Sequence, residues 1–258
     1  MPELSANGTT LHYDESGSGP AIVLTHGFAD SGLLWQPQID HFQDRYRIVT
    51  HDIRGHARSG VPDELGVYTQ DQVVEDMRAI MDELGIERAV VGGHSLGGYT
   101  SLRFYDRYPE RVRGLILSGT GPGYRRQAGK QGWTEVNEGD AARYAERGLD
   151  TVIDARAEKV GRHGGEAPIQ HTLRGLAYVR RGVMRMPPLT ELAEVGAPTI
   201  VLVGDGDTPF HNSSEYMAAK IPNATGPVVV AEASHWCNYD QPAIWNAAVE
   251  EFLGSLGD

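Results

Sequence analysis

The sequence predicts an α/β domain in which a mostly parallel central sheet is flanked by helices and carries an inserted helical cap. Three observations lead to it. Short apolar runs alternate with stretches of helical period, the pattern of βαβ units around a parallel sheet. One run, Ala89-Val90-Val91-Gly92, leads straight into Gly93-His94-Ser95-Leu96-Gly97 and then into an amphipathic segment, Tyr99 to Tyr108. The alternation stops between Gly121 and Pro188, where the chain becomes rich in Arg and Gly. The sheet domain is therefore expected at residues 1–120 and 189–258, with the cap at 121–188.

Taken in order, Thr10 to Tyr13 and Ala21 to Thr25 read as strands, and the connector Glu15-Ser16-Gly17-Ser18-Gly19-Pro20 suits an antiparallel start. Arg47 to Thr50 is the next strand. Val73, Val74, Met77, Ile80, Met81 and Leu84 recur at helical spacing and predict a helix over Gln70 to Leu84. Ala89 to Gly92, Leu115 to Leu117, Thr199 to Val203 and Val228 to Ala231 read as buried strands. Helical stretches are expected in the cap at Ala141 to Leu149 and Thr151 to Val160, and Ile244 to Leu256 closes the chain as an amphipathic helix.

Composition narrows the function classes. With 258 residues, 40% of them hydrophobic, the chain can bury a substantial core. A net charge of −12 argues against non-specific nucleic-acid binding. Residues 121–187 carry +4 and the remainder −16, which sets the cap apart; solvated charged helices account for the contrast, and steering of anionic ligands is the sharper alternative. No apolar stretch approaches the roughly 18–20 residues that span a bilayer, and no secretory leader is read at the N-terminus. The single cysteine, Cys237, excludes an intrachain disulfide, fits a reducing cytoplasm and reads as a packing residue. The glycines around Ser95 match neither a Walker nor a dinucleotide fingerprint. A tight turn explains His51, Asp52 and His56 better than a metal site does.

The chemistry gathers at strand ends. A serine hydroxyl is a poor nucleophile at neutral pH and needs a base, which in turn needs an orienting carboxylate. Ser95 sits where an apolar strand turns sharply into a helix, with Gly93 and Gly97 leaving room for the close approach. Asp207, in Gly204-Asp205-Gly206-Asp207, follows one strand, and His235, in Ala233-Ser234-His235-Trp236, follows another. Asp205 and nine other histidines compete for these roles. Preorganised donors for a transition-state oxyanion would be the backbone N–H groups of Leu96, after the nucleophile, and Phe28, in Thr25-His26-Gly27-Phe28. Trp35, Tyr124, Trp133 and Trp236 are candidates to line an acyl or alcohol pocket, with simple packing as the competing reading.

In His26-Gly27-Phe28, Asp52-Ile53-Arg54-Gly55-His56, Gly93 to Gly98, Gly204 to Asp207 and Ser234-His235, the sequence resembles the α/β-hydrolase family over nearly its whole length. The resemblance is to a serine esterase or lactonase with a helical cap. The family spacing selects Asp207 over Asp205 and His235 over the other histidines. Ala57 stands where the family normally has glycine, which puts the local turn in question but not the catalysis. The resemblance implies an acyl-enzyme mechanism without cofactor or metal: Ser95 attacks the carbonyl, His235 acts as base and then acid, and Asp207 holds the imidazole tautomer. The implied substrates are small to medium carboxylic esters. Lactones or enol-lactones, C–C bond hydrolysis and perhydrolysis are alternatives with the same triad. Epoxide hydrolase and dehalogenase relatives place a carboxylate where this chain has Ser95. A small-ligand receptor on the same fold is the non-enzymatic alternative. The sequence leaves the oligomeric state open.

Overall fold

The computed structural model describes residues 2–154, 169–187, 189 and 191–257. In chain order its strands are β1 (Glu3–Ala6), β2 (Thr9–Ser16), β3 (Ala21–Thr25), β4 (Arg47–His51), β5 (Ala89–His94), β6 (Val112–Ser118), β7 (Val152–Asp154), β8 (Gln170–Thr172), β9 (Thr199–Gly204) and β10 (Ala224–Val230). Its helices are α1 (Gln36–Phe42), α2 (Gln70–Glu83), α3 (Leu96–Arg107), α4 (Gln127–Glu146), α5 (Leu173–Arg181), α6 (Thr208–Lys220), α7 (Cys237–Asp240) and α8 (Pro242–Ser255). Eight strands make one sheet in the order β1-β2-β4-β3-β5-β6-β9-β10, while β7 and β8 form a separate antiparallel pair. From β4 to β10 every pairing is parallel; β1–β2 and β2–β4 are antiparallel.

The central strands are continuous apolar runs because they are covered on both faces. Their side chains alternate between two cores with a period of two. Val23, Val91, Leu115, Leu117 and Val201 pack with Val74, Met77, Ile80 and Met81 of α2 and with Leu102 and Phe104 of α3. Ile22, Leu24, Val90, Ile116, Ile200 and Leu202 face Ile39 and Phe42 of α1 and Trp245, Val249 and Phe252 of α8. Helix α2 starts where extended Thr69 caps it, its hydroxyl accepting from the Gln72 N–H at 3.1 Å. The segment between β6 and β9 holds α4, β7, β8 and α5, and α4 packs on α5.

Three expectations need correction. The antiparallel start is present, but β2 pairs with β4 rather than with β3. The chain from Val152 to Asp154 is strand, not helix, because its Val-Ile-Asp run pairs with β8, and Thr151 precedes it outside any helix; residues 155–160 of the expected helix lie outside the described residues. Helix α4 begins at Gln127, well before Ala141, and ends at Glu146. Only Asn137 and Ala141 of α4 are buried, so no apolar periodicity announced it.

The turn after β4 is built from the residues read there as a turn. The Asp52 carboxylate accepts from the Gly32 N–H at 2.7 Å and from the Arg58 side chain at 2.8 Å. Arg54, fully buried, forks onto Asp76 of α2 at 2.5 and 2.6 Å. Ala57 adopts φ +42°, the left-handed region in which glycine is unstrained, and its N–H donates to Nδ1 of His171 at 3.1 Å.

Four buried histidines surround this turn. Burial lowers His26 to about 3, His51 to about 4 and His171 to about 4, and holds His56 well below its ordinary value of 6.5. Such a group is neutral in the folded chain and protonated in the unfolded one between its two pKa values. As pH falls below 6.5 toward 4, the unfolded state takes up protons that the fold refuses, so stability falls. Each histidine contributes a slope of about 1.4 kcal/mol per pH unit in that window. The expected result is a urea midpoint that drops between pH 7 and 5, and drops less in His171→Gln; a flat midpoint over that range would contradict it.

Candidate active site

Ser95 follows the last residue of β5 and precedes the first of α3, with φ +53° and ψ −114°. A serine held there is strained by about 1–3 kcal/mol. The surroundings enforce the turn: a Cβ on Gly97 would run into the carbonyl of Thr25, and one on Gly93 into the backbone of Gly97. Leu96 is the first residue of α3, so its N–H has no acceptor within the helix.

His235 and Asp207 meet. The His235 Nδ1 lies 2.8 Å from Oδ2 of Asp207, whose side chain is 4% exposed. A carboxylate can only accept, so Nδ1 carries a proton, and in the neutral ring the lone pair belongs to Nε2. The ring is stacked by Phe210, with centroids 4.8 Å apart and planes at 20°. His94, beside the serine, donates from Nε2 to the carbonyl of His235 at 2.8 Å, and its ring lies 4.5 Å from the His235 ring. Asp205 has different work. Its carboxylate accepts from the N–H groups of Glu232 and Ala233 at 2.9 and 3.0 Å, which braces the turn before His235.

The loop after β6 ties the serine to this pair. Ser95 donates its N–H to Ser118 at 2.9 Å, and its carbonyl accepts from the Thr120 hydroxyl at 2.7 Å. Between them, Gly119 at φ +54° passes so close that a Cβ there would lie 3.3 Å from both Asp207 Oδ2 and His235 Nδ1.

The loop after β3 arrives from the other side. A Cβ on Gly27 would lie 3.3 Å from the Cβ of Ser95. His26 fixes the loop's backbone: Nε2 accepts from the Ile53 N–H at 2.9 Å, so Nδ1 is the donor to the Gly27 carbonyl at 2.7 Å. In a trans peptide the carbonyl and the next N–H point opposite ways. Pinning the Gly27 carbonyl therefore fixes the direction of the Phe28 N–H. Asp30 accepts from the Trp236 indole N–H at 3.1 Å and joins this loop to the histidine loop.

The expected pocket aromatics separate. Trp35 is fully buried and packs on Trp245 in the core, centroids 5.8 Å apart, so its expected place in a substrate pocket is corrected: the first turn after the β3 loop drives it under the sheet. Trp236 is half-buried and edge-on to His235 at 5.5 Å. Trp133 donates its indole N–H to the Met184 carbonyl and joins the apolar group that includes Phe28 and Leu96. Tyr124 is 47% exposed and lies 5.8 Å from Trp133. Cys237 is buried with its Sγ 3.3 Å from Ser118 Oγ, and burial pushes its thiol up to about 11, which disfavours the thiolate. Phe210, His94 and Gly119 also shape the site, without being predicted there from the sequence. Phe210 alone had a signal, since it lies in the first turn of the helix that Thr208-Pro209 opens right after Asp207. Among the described residues no cluster of His, Cys, Asp or Glu could hold a metal, and no helix is long and apolar enough to cross a membrane.

Similarity to known proteins agrees with this frame. A family profile described as the alpha/beta hydrolase fold matches residues 20–176. The 3-oxoadipate enol-lactonase 2 of Acinetobacter baylyi is 28% identical over 265 residues, covering 97% of this chain and 95% of that protein. Epoxide hydrolase 4 of Mus musculus is 26% identical over 278 residues, covering 96% and 77% respectively. The solved structure of a thermophilic esterase from Thermogutta terrifontis superposes with a TM-score of 0.82 at 26% identity, with both chains covered in full. A sheet of this order, a strained serine at the strand-to-helix turn and a profile match over more than half the length lead to one conclusion: the chain belongs to the alpha/beta hydrolase fold family and is a hydrolase.

Proposed function

We propose that this protein is a cofactor-free serine hydrolase that cleaves small to medium carboxylic esters through an acyl-enzyme. The observation that carries the reading is the 2.8 Å contact between Asp207 and Nδ1 of His235, packed against the same short loop, at Gly119, that holds the strained Ser95. In this reading Nε2 of His235 takes the serine proton as Oγ adds to the carbonyl. The oxyanion is received by the N–H groups of Leu96 and Phe28. His235 then protonates the leaving alcohol, and a water activated by the same nitrogen cleaves the acyl-enzyme. Asp207 stabilises the imidazolium without taking its proton. Residues 121–188 serve as a cap whose Trp133 and Tyr124 border the acyl pocket, and the reduced, buried cysteine suits a cytoplasmic setting.

A second reading, hydrolysis of a lactone or enol-lactone, is favoured by the relative of that activity that aligns over almost the full length of both chains. Ring opening runs through the same acyl-enzyme. Epoxide opening is disfavoured by the nucleophile itself. Serine would form an ether with the epoxide carbon, which water cannot cleave, whereas a carboxylate forms a hydrolysable ester.

A panel of p-nitrophenyl esters of graded acyl length, with a few lactones, tests the choice. The expected result is brisk turnover of the acetate and butyrate, falling for long chains. Turnover confined to lactones would move the assignment to the second reading. Negligible turnover of all of them, with ligand-dependent binding to another protein, would replace the enzyme by a receptor.

A further inference from the structure

We propose that Arg180 of α5 is a positioning residue for the oxyanion loop, acting through the ring of Phe28; the inference rests on the serine-hydrolase reading. The guanidinium carbon of Arg180 lies 4.0 Å from the centroid of the Phe28 ring. The same side chain is 12% exposed and is held from α4, by Asp140 at 2.8 Å and Asn137 at 3.0 Å. Its Nε is buried with no hydrogen-bond partner among the described residues, and Tyr144 of α4 adds a further side-chain hydrogen bond to the guanidinium. A cation stripped of water over an aromatic face attracts it more strongly than an exposed one. The Phe28 ring meets the edge of His56 as well, with centroids 5.7 Å apart at 86°.

Phe28 is therefore fixed at two points. Its side chain sits between a cation from the segment inserted after β6 and an imidazole from the turn after β4. Its amide plane is set by His26 through the Gly27 carbonyl. His26 sets the tilt of that peptide plane, and the packed ring holds the Cα of Phe28, and with it the loop, at its distance from Ser95; donors that must be in place before charge develops lose their effect when they wander. Arg180 also joins α4 to α5, so its stack on Phe28 adds a directional contact to the apolar packing of Leu173, Leu176 and Val179 through which the inserted segment meets the oxyanion loop.

The test is a double-mutant cycle of Arg180→Met and Phe28→Leu, read on neutral p-nitrophenyl butyrate and on anionic p-nitrophenyl succinate, with amide hydrogen exchange of residues 26–30 measured in each variant. Phe28→Leu keeps the ion pair with Asp140, so it reports on the stack even where Arg180→Met loosens α4. Each single variant is expected to lower kcat about tenfold on both esters with KM within about twofold. The double variant should be no slower than the slower single, and exchange at 26–30 should rise in each single variant. Fully additive losses would overturn the proposal. So would a rise in KM confined to the anionic ester, which would make Arg180 a substrate contact. Should the wild type turn over neither ester, the serine-hydrolase reading fails on its own, and unchanged exchange at 26–30 in Arg180→Met would then sink the coupling separately.

Discussion

Ser95→Ala is expected to lower turnover of p-nitrophenyl butyrate by a factor on the order of 10⁶ while leaving the fold in place. The magnitude follows from what a lone water would have to do without it. The hydroxyl is fixed on a strained backbone, φ +53°, that brings its Cβ against the loop after β3. Loss of the hydroxyl removes the covalent step, and the donors around it can then assist only direct attack by water. The turn itself is enforced by the missing side chains of Gly93 and Gly97, so it should survive the substitution. Kinetics beside a circular-dichroism melt check both halves. An alanine variant that kept a substantial fraction of the rate would remove Ser95 from the chemistry.

Asp207→Asn is expected to cost about 10⁴-fold, the size of the corresponding change in a well-studied triad. The buried Oδ2 of Asp207 is the side-chain partner of Nδ1 of His235 among the described residues. An amide can offer Nδ2–H at that position. It would then hold the imidazole in the other tautomer, with its proton on Nε2 and no lone pair to receive the serine proton. Asp205→Asn is the contrasting variant. That carboxylate braces Glu232 and Ala233 and does not touch the ring, so its loss should reduce stability more than rate. If Asp207→Asn kept full activity and Asp205→Asn lost it, the two assignments would be reversed.

Much of the site was legible because its constraints are local. A serine in a left-handed turn needs glycines where its helix crosses the neighbouring strand, and those glycines are spaced by the turn itself. Asp207 and His235 stand just past apolar runs, and strands of one parallel sheet release such residues at one edge. Other features had no local signal. Strand β1 is four residues long, Glu-Leu-Ser-Ala, and joins the sheet only by pairing with β2. Helix α6 buries just Ser214 and Met217, too few to set a helical period. Trp35 reads as a pocket candidate because it is a large aromatic, yet the short turn Gly32–Trp35 before α1 buries it in the core against Trp245. The stack of Arg180 on Phe28 joins residues far apart in sequence, and neither residue type announces the other. Ala57 shows the reverse case. Its departure from glycine was visible in the sequence, but the hydrogen bond to His171 that accompanies its left-handed backbone was not.

The most direct test of the central claim, that Ser95 is a nucleophile activated by the His235–Asp207 pair, is peptide mapping by mass spectrometry after treatment with diisopropyl fluorophosphate. The account predicts a single phosphoryl adduct on Ser95 in the wild type and none in His235→Ala. No adduct at Ser95, or one that forms equally well without the imidazole, would contradict it.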